Sequence, residues 1–381
     1  MSDNANVLNG LFVDAIGSND GLEKLGEVGG AYIQKKLRET SFARQILPPI
    51  NVTRSDVTRS VNHDGFVKIV DIEPDSKAMA MNFLGEPDGR YVDGKRYEVP
   101  FYRIASEDFS KDETELMAYD YPITKVIEEN SVKDIQTIED YGFRRNVDAG
   151  IRTSGKHMNI TGTAGKITKD ALEELINMID GDELKTDTLL MDQTTLNGIL
   201  SWDHSLLGDD LIQKVTIEGY TYTTLLGRKV ITSIKRRMFR KNAAFVDEGT
   251  QTVESVTGQA AAATITLAST EGLAAGDTLS ITGGDNDGET RTILSVDSAT
   301  QVTVNAALLA EAGAATYTFT AVGRPVIYGF TAPRFLGQFY VLNQTKFVIK
   351  KDYNLVTWRA WEDIAIGIGN QNSMAAVTLD T

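Results

Sequence analysis

Two stretches of the chain place apolar residues at helical spacing. The first covers residues 123–151 and follows Pro122, a residue type that fits the first turn of a helix. Its predicted buried stripe contains Ile123, Val126, Ile127, Val132, Ile135, Ile138 and Val147, and its predicted water-facing side contains Lys125, Glu128, Glu129, Lys133, Asp134 and Glu139. The second begins with Thr168 as N-cap and carries Leu172, Leu175, Ile176 and Ile179 on one face. A strand at residues 188–191 and a helix begun by Asp192 follow, and this alternation predicts a layered α/β domain.

Before the first predicted helix, two strand-like runs flank a long segment that is rich in glycine and charged residues. Residues 66–72 and 97–104 have the composition of strands, whereas the segment between them contains Gly85, Pro87, Gly89 and Gly94. The pattern predicts an extended hairpin with a long tip. Because such a hairpin is marginally stable alone in water, we expect a partner surface to order it.

The composition changes at about Thr250, where small, acidic and strand-forming residues become frequent. Residues 247–322 contain ten acids against one base, Arg291, and so carry −9 of the formal charge of −15. Strands are predicted at residues 264–267, 278–282, 290–296 and 301–305, which indicates a small antiparallel barrel or sandwich inserted into another domain. Within it, GGDNDGET (residues 283–290) shares Asp285, Asp287 and Gly288 with a calcium-binding loop. The alignment fails at two ligand positions, so a hairpin turn is predicted instead.

A strand-forming aromatic run, FVIKKDYNLVTWRAWEDIAIGIGN (residues 347–370), closes the chain. Apolar residues occupy both faces of its two predicted strands, since Phe347 and Ile349 alternate with Val348, and Trp358 alternates with Trp361. One interpretation packs one face on the long helix and the other on a neighbouring subunit. The alternative buries both strands within one domain.

The composition excludes several classes of protein. The chain has no cysteine, which excludes disulfides and thiolate chemistry, and its three histidines are too far apart in sequence to form a short-range metal pair. No nucleophile elbow, phosphate-binding loop or dinucleotide-binding loop is present, so the sequence predicts no enzyme, no cofactor and no metal site. No run is apolar enough for a membrane span, and the first twenty residues lack the features of a secretory signal.

The distribution of basic residues leaves one question open. The formal charge of −15 disfavours a protein that grips nucleic acid through its phosphates. However, RKVITSIKRRMFRK (residues 228–241) holds seven bases and no acid. This segment is interpreted as a solvated strand face, with a subunit contact or a polyanion site as alternatives.

The order of these elements resembles the major capsid proteins of tailed bacteriophages, whose α+β fold is shared with encapsulins. The resemblance depends on element order and on the closing stretch from Phe330, and it covers most of the chain apart from residues 247–322. It implies an N-terminal arm (1–63), an extended loop (64–110), a peripheral domain with a spine helix (111–165), an axial domain (166–246), an inserted small β domain (247–322), and a return through the axial domain to peripheral-domain strands (323–381).

The resemblance implies a structural protein that assembles into hexamers and pentamers of an icosahedral head shell around double-stranded DNA. The expected partners are copies of the chain itself, a separate scaffolding protein, a portal and a decoration protein, with synthesis and assembly in the host cytoplasm and no membrane. The predicted contacts between subunits are Phe83, Arg90, Tyr91, Lys95, Arg96, Arg236, Arg237, Trp358, Arg359 and Trp361. The alternatives are an encapsulin-type nanocompartment shell and, in another class, a surface or tail adhesin with a glycan-binding β module.

Overall fold

A computed structural model describes residues 12–13, 15, 19–59, 65–71, 96–116, 123–198 and 224–380 of the chain. The chain divides into two compact units. The first unit contains Met1–Asn146 and Pro333–Asn370, and the second contains Val147–Ala332 and Gln371–Thr381.

The described ranges contain both helices and strands. The α-helices are α1 (Asn19–Thr40), α2 (Phe42–Ile46), α3 (Glu113–Leu116), α4 (Ile123–Ser154), α5 (Lys169–Asp180), α6 (Gln193–Leu196) and α7 (Pro333–Leu336). The strands are β1 (Pro49–Asn51), β2 (Thr58–Arg59), β3 (Phe66–Asp71), β4 (Arg96–Pro100), β5 (Tyr102–Ala105), β6 (Phe109–Asp112), β7 (His157–Ile160), β8 (Thr186–Asp192), β9 (Thr224–Leu225), β10 (Arg228–Ser233), β11 (Arg240–Lys241), β12 (Gln251–Gln259), β13 (Thr264–Thr266), β14 (Thr278–Thr282), β15 (Thr290–Ser298), β16 (Gln301–Val304), β17 (Glu311–Thr320), β18 (Arg324–Thr331), β19 (Gly337–Asp352), β20 (Leu355–Ile368) and β21 (Met374–Leu379).

The first unit is built on a five-stranded sheet in the order β1-β19-β20-β5, with β6 also paired to β20. A separate three-stranded sheet joins β2, β3 and β4. The predicted strand at residues 97–104 is divided at Phe101, because β4 pairs with β3 and β5 pairs with β20. One continuous run of strand residues therefore serves two sheets.

The long helix α4 is confirmed as an element, and its burial differs from the predicted pattern. Ile127, Val132, Ile135 and Val147 are buried as predicted, whereas Val126 and Ile138 are exposed. Glu139 was predicted to face water, and it is fully buried. That prediction is wrong because Glu139 forms an ion pair with Arg44 of α2, a residue 95 positions away in sequence.

The second unit contains a seven-stranded mixed sheet in the order β7-β21-β18-β8-β10-β9, with β11 paired to β18. Helix α5 packs on this sheet through Leu172, Leu175 and Ile179. Its N-cap is Thr168 as predicted, since the threonine side chain accepts a hydrogen bond from the Ala171 amide. The Asp192 cap is also present, and the helix that it begins ends at Leu196.

Residues 251–320 of this unit form a six-stranded antiparallel sheet in the order β12-β17-β14-β15-β16-β13, around a hydrophobic core of its own. The four strands predicted from sequence are present as β13 to β16. Sequence reasoning missed β12 and β17, which pair with each other and flank the predicted set. Residues 283–289 form the predicted turn between β14 and β15.

The last strand of the chain lies in the second unit. Residues 323–381 were predicted to return through an axial domain to peripheral-domain strands. Within this range, β19 and β20 belong to the first unit. In contrast, β21 pairs antiparallel with β18 and parallel with β7. All six residues of β21 are buried, and five of them are apolar, as is typical of a strand in the interior of a sheet covered on both faces.

Candidate assembly surface

The closing strands β19 and β20 form a long hairpin with two unlike faces. They pair in antiparallel register from Gly337 with Ile368 to Asp352 with Leu355, so Tyr353 and Asn354 form the turn. In the outer half of the hairpin, alternate residues point inward, and these are Phe347, Ile349, Val356, Trp358 and Ala360. The inward residues are all buried, which leaves the other face as the accessible one.

Helix α1 covers the inward face, and it does so through glycines. A Cβ atom on Gly26 would lie 2.6 Å from the Phe347 carbonyl oxygen, and one on Gly30 would lie 3.1 Å from the Thr345 carbonyl oxygen. Only glycine allows the helix backbone to approach the strand this closely. The sequence interpretation expected the long helix to pack on one face of these strands. Helix α4 does contact β20, since Asn146 Nδ2 donates to the Ile366 carbonyl at 3.2 Å, and α1 covers the outer half of the inward face.

Trp358 is part of this packing. Its side chain is fully buried and its ring stacks on Phe12 with 5.9 Å between ring centroids. It therefore presents no surface to a second subunit, and its assignment as an intersubunit contact is corrected. The reason is strand parity, since Trp358 and Trp361 are an odd number of residues apart and point to opposite faces.

The outward face combines basic, aromatic and apolar side chains. In register across the hairpin, Lys346 pairs with Trp361, and Val348 pairs with Arg359. The guanidinium carbon of Arg103 lies 4.1 Å from the Trp361 ring centroid, and the Lys346 ammonium lies 5.2 Å from it. These cation–π contacts hold the indole in place on an accessible surface.

Acidic side chains of β20 and of the connection between β5 and β6 partly neutralise this face. Arg103 Nε donates to Asp363 at 2.7 Å, and Arg359 forms a two-point ion pair with Asp108. The hydrogen bonds from Arg359 are the largest influence on Asp108, and they lower the pKa of its carboxyl group. Exposed pairs of this kind stabilise a subunit little, so their side chains remain available to a second surface.

The turn of the hairpin presents an exposed aromatic residue that sequence reasoning missed. Tyr353 is 92% exposed and has a φ of +51°. Turns of two residues between strands favour glycine, asparagine or aspartate at positive φ, and tyrosine there is strained. The available signal was the two-residue DYNL turn between strand patterns, which places Tyr353 at the tip.

The remaining predicted contacts fall into four groups. Arg359 and Trp361 lie together on the outward face, and Arg96 lies on the exposed β3–β4 sheet, where it pairs with Asp71 at 2.6 Å. Arg236 and Arg237 are exposed in a short 3-10 helix of the second unit. The last group lies outside the described residues, and its members are Phe83, Arg90, Tyr91 and Lys95.

The described residues contain neither a metal-binding cluster nor a membrane-spanning helix. No group of three or more His, Asp or Glu side chains in these ranges has the arrangement needed to hold a metal ion. None of the helices in these ranges has both the length and the apolar character that crossing a membrane requires.

The structure is similar to a solved structure from Microbacterium phage Oxtober96, with a TM-score of 0.50, 8% sequence identity, and coverage of 90% of this chain and 91% of that chain. Two others are a capsid of a native GTA particle (TM-score 0.42, 11% identity, 90% of each chain) and a capsid structure of the cyanophage P-SCSP1u (TM-score 0.45, 10% identity, 83% of this chain and 84% of that chain). The chain shares its fold with the Oxtober96 phage structure. This likeness establishes the fold alone, since one fold hosts many functions. No family model and no curated protein matches the sequence.

Proposed function

We propose that the chain is the major capsid protein of a tailed phage, a structural subunit that assembles into the hexamers and pentamers of an icosahedral head around double-stranded DNA. The observation that carries the proposal is the fold shared with the Oxtober96 phage structure, which extends over 90% of this chain and 91% of that one.

The element order supports the finer assignments within this proposal. Helix α4 is proposed as the spine helix, the β3–β4 strands as the base of the extended loop, and the six-stranded β sheet of residues 251–320 as an inserted domain that projects from the shell. In this arrangement the outward face of the β19–β20 hairpin contacts a neighbouring subunit.

The chemistry of the outward face suits a contact that forms repeatedly around a shell. Trp361, with Arg103 and Lys346 beside it, supplies an aromatic anchor of the kind that carries binding energy in interfaces. Many modest contacts closed around a shell multiply into high overall stability, so no single contact has to be strong.

The net charge of −15 suits a container for DNA. A lining that does not bind phosphate firmly lets the duplex slide while it is packaged. Scaffolding, portal and decoration proteins are proposed as partners, with assembly in the host cytoplasm and the virion capsid as the final location.

Negative-stain electron microscopy of the purified protein, with and without a crowding agent, tests the proposal. Rings of five or six subunits, tubes or closed shells are expected. A population that stays monomeric under every condition contradicts the proposal and favours the adhesin alternative. Shells that enclose a protein cargo and exclude DNA favour an encapsulin-type compartment.

The outward face is tested by Arg359→Glu. Because Arg359 is exposed, its reversal should leave the thermal unfolding of the subunit within about 2 °C of the unmodified protein, while assembly weakens. Lys185→Glu, an equal change of charge at another exposed position, is the matched control. Equal assembly by both variants would remove this face from the proposed interface.

A further inference from the structure

An exposed isoleucine stands among basic side chains at the end of strand β10. Residues 233–237, here called the basic loop, form a tight turn in which the Arg236 amide donates to the Ile234 carbonyl at 2.9 Å. This turn directs Ile234 outward, where it is 91% exposed. A large apolar side chain this exposed among charges is typical of a contact site.

Only some of the basic residues in and after the basic loop form ion pairs with acids of the same chain. Arg240 and Lys241, further along the same segment, are buried in ion pairs with Asp192 and Asp148. Arg236 and Arg237 are exposed, and no acid of the described ranges lies within ion-pair distance of either. Burial first, and then the charge of Arg236, lower the pKa of Arg240.

A surface with the opposite charge and its own apolar residue lies on the six-stranded β sheet of the same unit. The turn at residues 283–289 carries Asp285, Asp287 and Glu289, all exposed, and beside it Leu309 is 66% exposed. Glu289 also pairs with Arg291 at 2.5 Å, so the turn keeps a net negative charge. These residues are here called the acidic tip. Strand β14 leads to this turn, and its five residues span about 17 Å. Just before the strand, Asp277 accepts a hydrogen bond from the Asn242 side chain.

The acidic tip is held rigid by a buried carboxylate. Glu311 is 1% exposed and accepts hydrogen bonds from the amides of Asp285 (2.7 Å) and Asn286 (3.3 Å). The Asn286 side chain in turn accepts a hydrogen bond from the Leu309 amide at 2.9 Å and donates one to the Leu309 carbonyl at 3.0 Å. A rigid surface loses little conformational freedom when it binds, which favours its use as a docking element.

We infer that the basic loop of one subunit docks on the acidic tip of a second copy of this chain, with Ile234 against Leu309 and Arg236 and Arg237 against Asp287 and Glu289. The inference rests on the proposed function, since it assigns one contact within the shell. The two surfaces differ, so the contact is head to tail, and repetition of such a contact closes a ring when its rotation allows.

Disulfide trapping tests this contact directly, because the chain has no cysteine of its own. Chains carrying Ile234→Cys are mixed with chains carrying Leu309→Cys, assembled, and oxidised mildly. The expected product is a mixed dimer on non-reducing gels, several-fold more abundant than either homodimer, since a disulfide needs Cα atoms within about 7 Å. The control replaces Leu309→Cys with Val253→Cys, which is also exposed on the six-stranded sheet and should give little mixed dimer.

Charge reversal gives an independent readout. Arg236→Glu with Arg237→Glu should lower the yield of mixed dimer about tenfold, because like charges then face each other. Asp287→Lys with Glu289→Lys in the second chain should restore the yield.

The outcomes separate this contact from the proposed function. Shells that form without a mixed disulfide overturn the contact and leave the shell proposal standing. Mixed dimers without shells support the contact and contradict the shell. Reversal of the loop charges that leaves the disulfide unchanged and lowers the DNA retained in particles overturns the contact and assigns the basic loop to a polyanion.

Discussion

Replacing Arg44 with methionine should destabilise the first unit strongly. Arg44 Nη2 lies 2.5 Å from Glu139 Oε1 and 2.8 Å from Glu362 Oε2, and all three side chains are buried. One guanidinium therefore compensates two carboxylates, one from helix α4 and one from strand β20. Methionine has similar length and no charge, so Arg44→Met leaves both carboxylates without a cation.

The expected loss is about 3–5 kcal/mol in the free energy of unfolding, the range for removing one partner of a buried ion pair. The matched control is Arg103→Met. Arg103 also pairs with a carboxylate of β20, Asp363, and its side chain is 59% exposed. Because water screens that pair, its loss should cost no more than about 1 kcal/mol.

The pH dependence follows from the excess of carboxylate over guanidinium. Burial first, and then the charge of Glu362, raise the pKa of Glu139 well above its ordinary value. Burial and the charges of these two glutamates also raise the pKa of Tyr102 to about 12. A group with a raised folded-state pKa stabilises fully below its unfolded-state pKa, and that contribution is lost as pH rises through the folded-state pKa.

Glu139→Gln separates the charge from the packing, since glutamine has nearly the shape of the neutral acid. At low pH the substitution should change stability little. Between the unfolded-state pKa and the raised folded-state pKa, the unmodified protein should lose about 1.4 kcal/mol per pH unit, because the carboxyl group ionises first in the unfolded chain, and the Gln variant should not. The two stability curves should therefore diverge as the pH rises above the unfolded-state pKa of the carboxyl group.

Urea unfolding followed by tryptophan fluorescence provides the assay, because Trp358 is fully buried in the same unit. Measurements at several pH values between about 5 and 9 cover the region in which a raised carboxyl pKa acts. If Arg44→Met and Arg103→Met were equally stable, or if Glu139→Gln had the same pH profile as the unmodified protein, the electrostatic reasoning would be refuted.

Two further predictions concern the second unit. Gly284→Ala should lower the free energy of unfolding by about 2–4 kcal/mol, since Gly284 has a φ of +71° and an added Cβ would overlap the buried Glu311 carboxylate. The control is Gly288→Ala, which should cost only about 1 kcal/mol because Gly288 has a φ of +78° and open space around it. Equal losses on chemical denaturation would show that the structure accommodates the added Cβ at Gly284. Lys241→Met should cost about 3–5 kcal/mol, because the buried Lys241 ammonium lies 2.5 Å from Asp148 Oδ2; a thermal scan with an unchanged midpoint would contradict this estimate.

Sequence reasoning succeeded where structure depends on residues a few positions apart. The start of α4 at Ile123, the Thr168 cap of α5 and the turn at residues 283–289 all follow from local periodicity and local hydrogen bonding. The closing hairpin was also recognised as strands, and Arg359 and Trp361 lie on its accessible face. These features need no knowledge of distant partners.

Tertiary structure decided the features that depend on distant residues. In the sequence, Glu139 has the pattern of a solvated helix residue, and only the fold places Arg44 and Glu362 beside it. Trp358 also has the pattern of a surface aromatic residue, and only the fold covers its face with Phe12 and α1. Likewise, the composition of β21 predicts a buried strand without saying which sheet contains it. Periodicity determines which side chains share a face of an element. Which of those faces is covered, and by which distant segment, depends on contacts that become favourable only when the whole chain folds.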